Sequence, residues 1–472
     1  MQKDSKKMSC DIVVVGSGVS GLSAAVQAAE AGKKVILLES LRRVGGNWDV
    51  TYGMMAVDSV LSRKQGIKVD VKALVNQEIR FFNYQVNSKL WMDMVGSSGE
   101  NIGWLMEQGV EFEPELEPYT AGDINAPVFH RWAHTSHPSQ RMQAAFEKAG
   151  GTVLTETQGK TLLLDDGKIV GVIAEKSDGE PLRIDCKAVI SAGGGYAKNP
   201  EMVSAVIGRT DYACRGIGAN DGSTIQMCIE AGAKNLLALG NQVVDLIPRQ
   251  MKNVNHWLTY IHSRPGSYPF HVCVNQDAER YVDESCTLKL YAFSPSAAYT
   301  QERTYTIYDE EKLKKLEDIN QNGVFQIMKA AADEGKEGIV RADTFEELGS
   351  RLGLDSKQFA KTMKTYQQSC EAGSDSEYEK TPEFLQRFAP PFYGWENGYQ
   401  IAATVGGLDC NRRMEVVSIR NKPIPGLYVA GVDGTKLYRD YYSLAIPGSC
   451  NANNVYSGRR AARSAVEYID AQ

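Results

Sequence analysis

Gly16-x-Gly18-x-x-Gly21 directly follows the β-branched run Asp11-Ile-Val-Val-Val15 and directly precedes an Ala-rich segment, Leu22 to Ala31. A buried strand, a glycine turn and a helix, in that order, begin a βαβ unit. Gly32 supplies a helix-ending glycine and Val35-Ile-Leu-Leu-Glu39 the second strand. In such a unit Gly16 permits the tight turn, Gly18 lets the backbone approach a pyrophosphate, and Gly21 allows the helix to pack closely on the strand. The helix N-terminus then faces the phosphates. Glu39, 18 residues after Gly21, can accept from a ribose hydroxyl. The spacing predicts dinucleotide binding.

The rest of the chain narrows the class. At 472 residues, two or three domains are expected. With 52 Lys plus Arg against 58 Asp plus Glu, the net charge is −6, which gives no attraction to nucleic acid. No apolar run approaches bilayer thickness, so no membrane span is expected. The nine cysteines are an odd, scattered set without a C-x-x-C pair, which fits a reducing, cytoplasmic compartment and no metal. The basic start MQKDSKKMSC superficially mimics a secretion signal, but Asp11 and Glu30 frame a strand and helix instead.

Further strands are predicted at 160–164, 168–174 and 187–191, the last two flanking the turn Ser177-Asp-Gly-Glu180. From about 236 to 340 the strand–helix alternation fades and prolines, tyrosines and His256, His262 and His271 appear, which suggests an inserted domain. Helices are expected at Phe345–Leu352, Ser356–Cys370 and Asn453–Tyr468, an exposed loop over Glu371–Glu383, and a strand over Gly426–Gly431.

Several further motifs occur in a fixed order. They are Gly45-Gly46-Asn47, Ser191-Ala-Gly-Gly-Gly195, Gly218-Ala-Asn-Asp-Gly222 with Ala231-Gly-Ala233, and Val272-Cys-Val-Asn275 through Arg280-Tyr-Val-Asp-Glu284. Gly406-Gly407, Ile424-Pro-Gly-Leu-Tyr-Val-Ala-Gly-Val-Asp433 and Gly458-Arg459 complete the set. In these the chain resembles the FAD-binding flavoproteins that include fumarate reductases, succinate dehydrogenase flavoprotein subunits and 3-ketosteroid dehydrogenases. Ala278 and Tyr281 depart from that pattern.

The resemblance implies an α/β fold, a Rossmann-like FAD-binding domain (1–235 and 346–472) interrupted by an inserted α+β capping domain (236–345). It implies hydride transfer at flavin N5. It also extends the cofactor contacts to Ser17, Ser20, Ser40, Gly45, Gly46, Asn47, Gly53, Ala192, Gly193, Asp221, Gly431, Asp433, Gly448, Ser449 and Asn451. No His lies between Gly45 and Ala56, where covalent relatives attach the flavin, so non-covalent FAD is expected. No second G-x-G-x-x-G unit exists for a nicotinamide, so electrons are expected from an external donor, reduced nicotinamide or a redox protein.

Fumarate reductases hold their dicarboxylate with His and Arg, and here those positions read differently. Ile401 to Val405 precede Gly406 without a His, Ile247-Pro248 stands for His-Pro, and Tyr441 and Ala445 fall at the family's His and Arg. The family's acid-donor Arg is replaced within Tyr308–Leu313. A dianion buried without its counter-charges would cost several kcal/mol. Pro447-Gly448 and the nearby tyrosines look more like the steroid-dehydrogenase branch. Tyr441 and Tyr442 are the candidate proton donors, with Arg249, His256 and His262 next. His130, His134 and His137 are spaced as if for a metal but lie in a Pro- and Ser-containing stretch. The expected substrate is apolar and ring-containing, a steroid enone or phenolic polycycle, whose C=C bond is reduced or formed. Reductive removal of a ring substituent and an electron-transfer subunit with a vestigial site are the alternatives.

Overall fold

The computed structural model describes residues 6–116, 127–214, 216–237, 242–250, 269–289, 293–320, 323–434, 436–439, 442 and 446–472. Ile12–Val15 (β2) pairs in parallel with Val35–Leu38 (β3), which pairs onward with Thr152–Leu154 (β6). On its other side β2 pairs with Ala188–Ser191 (β10), β10 pairs with Pro423–Val429 (β18), and β18 pairs, antiparallel, with the edge strand Glu415–Val417 (β17). Every residue of β2, β3 and β10 is buried, as unbroken apolar runs require of strands covered on both faces.

The first helix, Val19–Glu30, covers this sheet with its small residues. The C-terminal helix, Ser449–Asp470, crosses it so closely that a Cβ on Gly458 would stand 2.3 Å from the Ser20 carbonyl oxygen. Arg459 fixes the crossing, donating to Gln27 at 2.9 Å and to Asn101 at 2.5 Å. That helix starts at Ser449, earlier than the expected Asn453, because Gly448 at φ +75° is its N-cap and the buried Ser449, Asn451 and Ala452 form its first turn.

A second sheet has the order β1-β9-β8-β7, from Lys6–Ser9 (β1), Thr157–Asp165 (β7), Lys168–Lys176 (β8) and Pro181–Asp185 (β9). The Ser177–Glu180 turn therefore joins β8 to β9, not to the 187–191 strand. In β9 only Leu182 and Ile184 are buried, and two apolar residues are too few for periodicity to reveal a strand.

The third sheet is built on the long strand Phe392–Thr404 (β16). Tyr212–Cys214 (β11) joins it in parallel, and Gln242–Pro248 (β12), Thr304–Asp309 (β14) and Val340–Ala342 (β15) antiparallel, with Val272–Asn275 (β13) beyond β14. Four of these six strands lie within the 236–345 segment, and β11 and β16 flank it in sequence. Gly53–Met55 (β4) and Phe129–Arg131 (β5) form a separate two-stranded ribbon.

Glu371–Glu383 is more than an exposed loop. The fully buried Arg280 guanidinium pairs with Glu284 at 2.9 Å and with Asp375 at 2.8 Å, and buried Lys380 stands 3.3 Å from Glu284. The acidic segment closes over a cation, so its charges are partly interior. No helix among the described residues is long and apolar enough to cross a membrane.

Candidate active site

The C-terminal ends of β2, β3 and β10 open onto a cavity of about 500 Å³. Such a crevice at strand C-termini is where open α/β sheets bind nucleotides. Gly16 has φ +101°, and a Cβ there would lie 2.4 Å from the Ala192 carbonyl oxygen, so the turn is pressed against the end of β10. At Gly18 a Cβ would meet no atom within 4 Å. The first helix begins there with no side-chain cap and no acidic residue in its first turn. Unpaired helix N–H groups beneath open space suit an anionic phosphate.

Gly16, Ser17, Gly18 and Ser20 line the cavity, followed by Glu39 and Ser40 at the end of β3. The Glu39 carboxylate accepts from the Ser17 hydroxyl, from the Ser17 amide at 3.2 Å and from the Leu41 amide at 2.8 Å. Two carboxylate oxygens keep acceptor capacity beyond these donors. Asp221 also lines the cavity, accepting from Gln158 Nε2 at 3.1 Å and from the Ser223 amide at 3.0 Å. Gly46, Asn47, Ala192 and Gly193 line the middle. Asn47 Oδ1 accepts from the Gly218 amide at 2.8 Å, tying two of the sequence motifs together.

Gly53, Gly448, Asn451 and Tyr442 line the cavity beside β4. Asn451 Nδ2 donates to the Gly53 carbonyl at 2.8 Å and to Thr51 Oγ1 at 3.1 Å. The Tyr442 hydroxyl accepts from the Cys450 backbone N–H at 3.2 Å, in the first turn of the C-terminal helix. Its ring stands edge-on to Tyr438 at 5.2 Å. Cys450 also lines the cavity, but burial pushes its thiol up to about 12, which keeps it protonated.

Five expected cofactor contacts lie off the cavity wall. Gly21 packs on Gly16, where a Cβ would be 1.8 Å from the carbonyl oxygen. Gly45 donates its amide to the Ser17 carbonyl at 3.0 Å, Gly431 donates to Ser457 Oγ at 2.8 Å, and buried Ser449 accepts from the Tyr438 hydroxyl at 3.1 Å. Asp433 is turned inward. Its carboxylate accepts from the Gly193 and Gly195 amides at 2.7 and 2.8 Å, and from the Ser191 and Thr224 hydroxyls at 2.9 and 2.7 Å. Val432, one residue earlier, is the one that lines the cavity.

Tyr441, His256 and His262 lie outside the described residues. Arg249 is exposed, off the cavity wall, and paired with Glu396 at 2.6 Å and Asp211 at 3.4 Å. His130 is buried in β5. Its Nδ1 lies 3.0 Å from the Val128 carbonyl and its Nε2 lies 2.7 Å from Ser59 Oγ. Burial lowers its pKa to about 4, so it is neutral, donating to Val128 and accepting from Ser59. His137 is the left-handed N-cap of the helix Pro138–Lys148.

Several lining residues carry no sequence signal of their own. Thr157, Gln158 and Gly159 enter through β7, and Ala402 and Ala403 through β16. Asn220, at φ 43°, donates to the Gly194 carbonyl at 2.6 Å, and only its place inside the Gly218–Gly222 motif hinted at it. Arg131, with Phe129, comes from the short ribbon strand β5.

A parallel sheet, an open glycine turn and a long cavity along the strand ends define a dinucleotide-binding enzyme. Residues 11–445 match the FAD binding domain family, and the chain belongs to it. It is similar to the vinyl phenol reductase of Lactiplantibacillus plantarum, 31% identical over 99% of this chain and 98% of that one. It is also similar to the NADH:acrylate oxidoreductase of Vibrio harveyi, 26% identical over 89% of this chain but 47% of that protein. Among solved structures, an open flavocytochrome c3 fumarate reductase superposes with TM-score 0.75 at 22% identity, covering 98% of this chain and 79% of the other. The 3-ketosteroid-Δ4-(5α)-dehydrogenase of Rhodococcus jostii gives 0.72 at 22%, covering 98% of both. The chain is an FAD-dependent oxidoreductase acting on carbon–carbon double bonds.

Proposed function

We propose that the chain reduces a C=C bond conjugated to a ring in a largely apolar substrate of the vinyl phenol or enone kind, with Tyr442 as proton donor. The carrying observation is that Tyr442 lines the cavity and that its hydroxyl accepts from the N–H of Cys450, another lining residue. An O–H whose oxygen already accepts a hydrogen bond is a stronger donor. Tyr442 can therefore give its proton to the carbon that becomes electron-rich as the double bond is reduced. Tyr441, the other candidate from the sequence, keeps its place in the mutagenesis below.

FAD, when bound, supplies the hydride. Binding without a covalent bond is supported by the lack of His between Gly45 and Ala56. Gly16 to Ser20 would hold the pyrophosphate, Glu39 and Asp221 the adenosine end, and Gly53, Gly448 and Asn451 the ring system. Ser449, Gly431 and Asp433 would act behind this wall by fixing its backbone. The cap would comprise 236–345 with its sheet partners in β11 and β16. An external donor, reduced nicotinamide or a redox protein, and a cytoplasmic location complete the proposal. Thiols scattered without disulfides support the location.

The test is anaerobic. The flavin of the holoprotein is reduced chemically, and its reoxidation is followed with 4-vinylphenol, a steroid enone and fumarate. The vinyl arene or the enone should reoxidise it with formation of the saturated product, and fumarate should not. Turnover of fumarate alone would overturn the proposal.

A further inference from the structure

We propose that Ala402 and Ala403 are the specificity-determining residues of this site: a β-bulge brings these two consecutive alanines to the cavity wall, and their small size admits a planar ring. This deepens the function proposed above and rests on its choice of a ring-bearing substrate.

In the pairing of β16 with β12, Val243 stands opposite Ala403 and Val244 opposite Ile401, so Ala402 has no residue facing it. Side chains alternate along a regular strand, which sends neighbours to opposite faces. One extra residue breaks that alternation. Ala402 and Ala403 accordingly both line the cavity and are both half-buried, whereas Ile401 and Thr404 on either side are fully buried. Among the described lining residues, these alanines are the two that lie in the third sheet. That sheet is otherwise built largely from strands of the 236–345 segment, the proposed cap, while β2 and β3 of the dinucleotide half belong to another sheet. The alanines therefore reach the cavity from the sheet of the cap.

The backbone beyond the bulge is locked. Thr404 Oγ1 accepts from the Tyr196 amide at 3.1 Å, and a Cβ on Gly195 would stand 2.1 Å from that oxygen. A Cβ on Gly407 would stand 1.8 Å from the Asp433 carbonyl oxygen, and the Asp433 carboxylate holds the Gly193 and Gly195 amides at 2.7 and 2.8 Å. A larger side chain at 402 or 403 has no backbone shift to relieve it, so its volume comes out of the cavity. Neither alanine side chain carries a polar atom, so this stretch of wall offers a ligand shape and apolar contact alone. That suits the flat, apolar body of a ring and gives nothing to a carboxylate. In an apolar pocket one methylene more or less discriminates by roughly 10–200-fold, so two residues that stop at Cβ set how wide a ring enters.

The experiment uses oxidised holoprotein, with 4-ethylphenol as the one-ring ligand and 6-ethyl-2-naphthol as the two-ring ligand. Binding is read from the visible spectrum of the flavin and needs no turnover. The parent protein should bind 4-ethylphenol. Ala402→Leu and Ala403→Leu should each bind it about tenfold more weakly or worse, with FAD content unchanged. Ala402→Gly and Ala403→Gly should shift preference towards the two-ring ligand, a gain that a merely loosened fold does not produce. Equal 4-ethylphenol binding by the parent and both Leu variants overturns the proposal, as does a parent protein that binds neither ligand. An unchanged ratio of the two affinities in both Gly variants overturns it too. So does loss of FAD from the Leu variants, which would assign the alanines to the cofactor. Alanine-dependent ring binding in a protein that turns over no vinyl arene or enone would support this inference and overturn the catalytic one. Parental turnover of 4-vinylphenol by both Leu variants would do the reverse.

Discussion

The Asp433 carboxylate accepts from the Gly193 amide at 2.7 Å, while Val432 beside it faces the cavity. The acid that ends the last strand motif is therefore a brace for the glycine loop after β10. Four protein donors surround it. Asp433→Asn replaces one of the two acceptor oxygens by an NH2 group, which must then face either the Gly195 amide or the Gly193 amide with the Ser191 and Thr224 hydroxyls. The variant should lose about 3 kcal/mol of stability even without FAD. Chemical unfolding of FAD-free protein measures this. An unchanged unfolding midpoint with weakened FAD binding would instead mark Asp433 as a direct ligand.

Gly16→Ala places a methyl 2.4 Å from the Ala192 carbonyl oxygen at a φ of +101°, which an L-residue rarely adopts. Turn and strand end must separate. FAD affinity should fall at least tenfold, together with about 2 kcal/mol or more of stability, as read by FAD titration of the stripped protein and by melting.

His130 sets a pH dependence. Its folded pKa, about 4, lies below the usual 6.5, so the unfolded chain takes up a proton that the folded one refuses. Stability should therefore be full above pH 6.5 and fall as pH drops from 6.5 towards 4, by up to roughly 3 kcal/mol. His130→Gln should flatten that segment of the stability–pH curve. A curve of unaltered slope would show that other groups cause it.

Arg280→Met leaves Glu284 facing Lys380 alone and strands Asp375 in the interior. Breaking a buried pair in this way costs about 3–5 kcal/mol. The loss should appear in thermal unfolding while the visible spectrum of bound FAD is retained in the folded fraction.

Much of the dinucleotide half was legible in the sequence because its constraints are local. A glycine turn between two apolar strands can be read from consecutive residues, and Gly16, Gly18 and Glu39 all line the cavity. What was hidden depends on contacts between distant segments. The one-residue difference between Val432 and Asp433 is a matter of which way a strand end turns. Arg131 carries no sequence signal of its own, and only the pairing of β5 with Gly53 sets its face. Ala402 and Ala403 reach the cavity because β16 spans from the third sheet to the β10 loop, where Thr404 Oγ1 accepts from the Tyr196 amide at 3.1 Å. Asp375 and Lys380 sat in an acidic run whose composition spoke for solvent, and only Arg280 and Glu284, about a hundred residues earlier, draw them inside.

In the function proposed above, a tyrosine at this site protonates the substrate. The direct measurement is single-turnover, anaerobic reoxidation of the reduced flavin by 4-vinylphenol in Tyr442→Phe, with Tyr441→Phe and the double variant alongside and FAD occupancy matched by absorbance. Loss of a general acid should slow the chemical step of Tyr442→Phe by roughly 10²–10⁴-fold without loss of FAD. Reoxidation by both single variants and the double variant at the parental rate would contradict it.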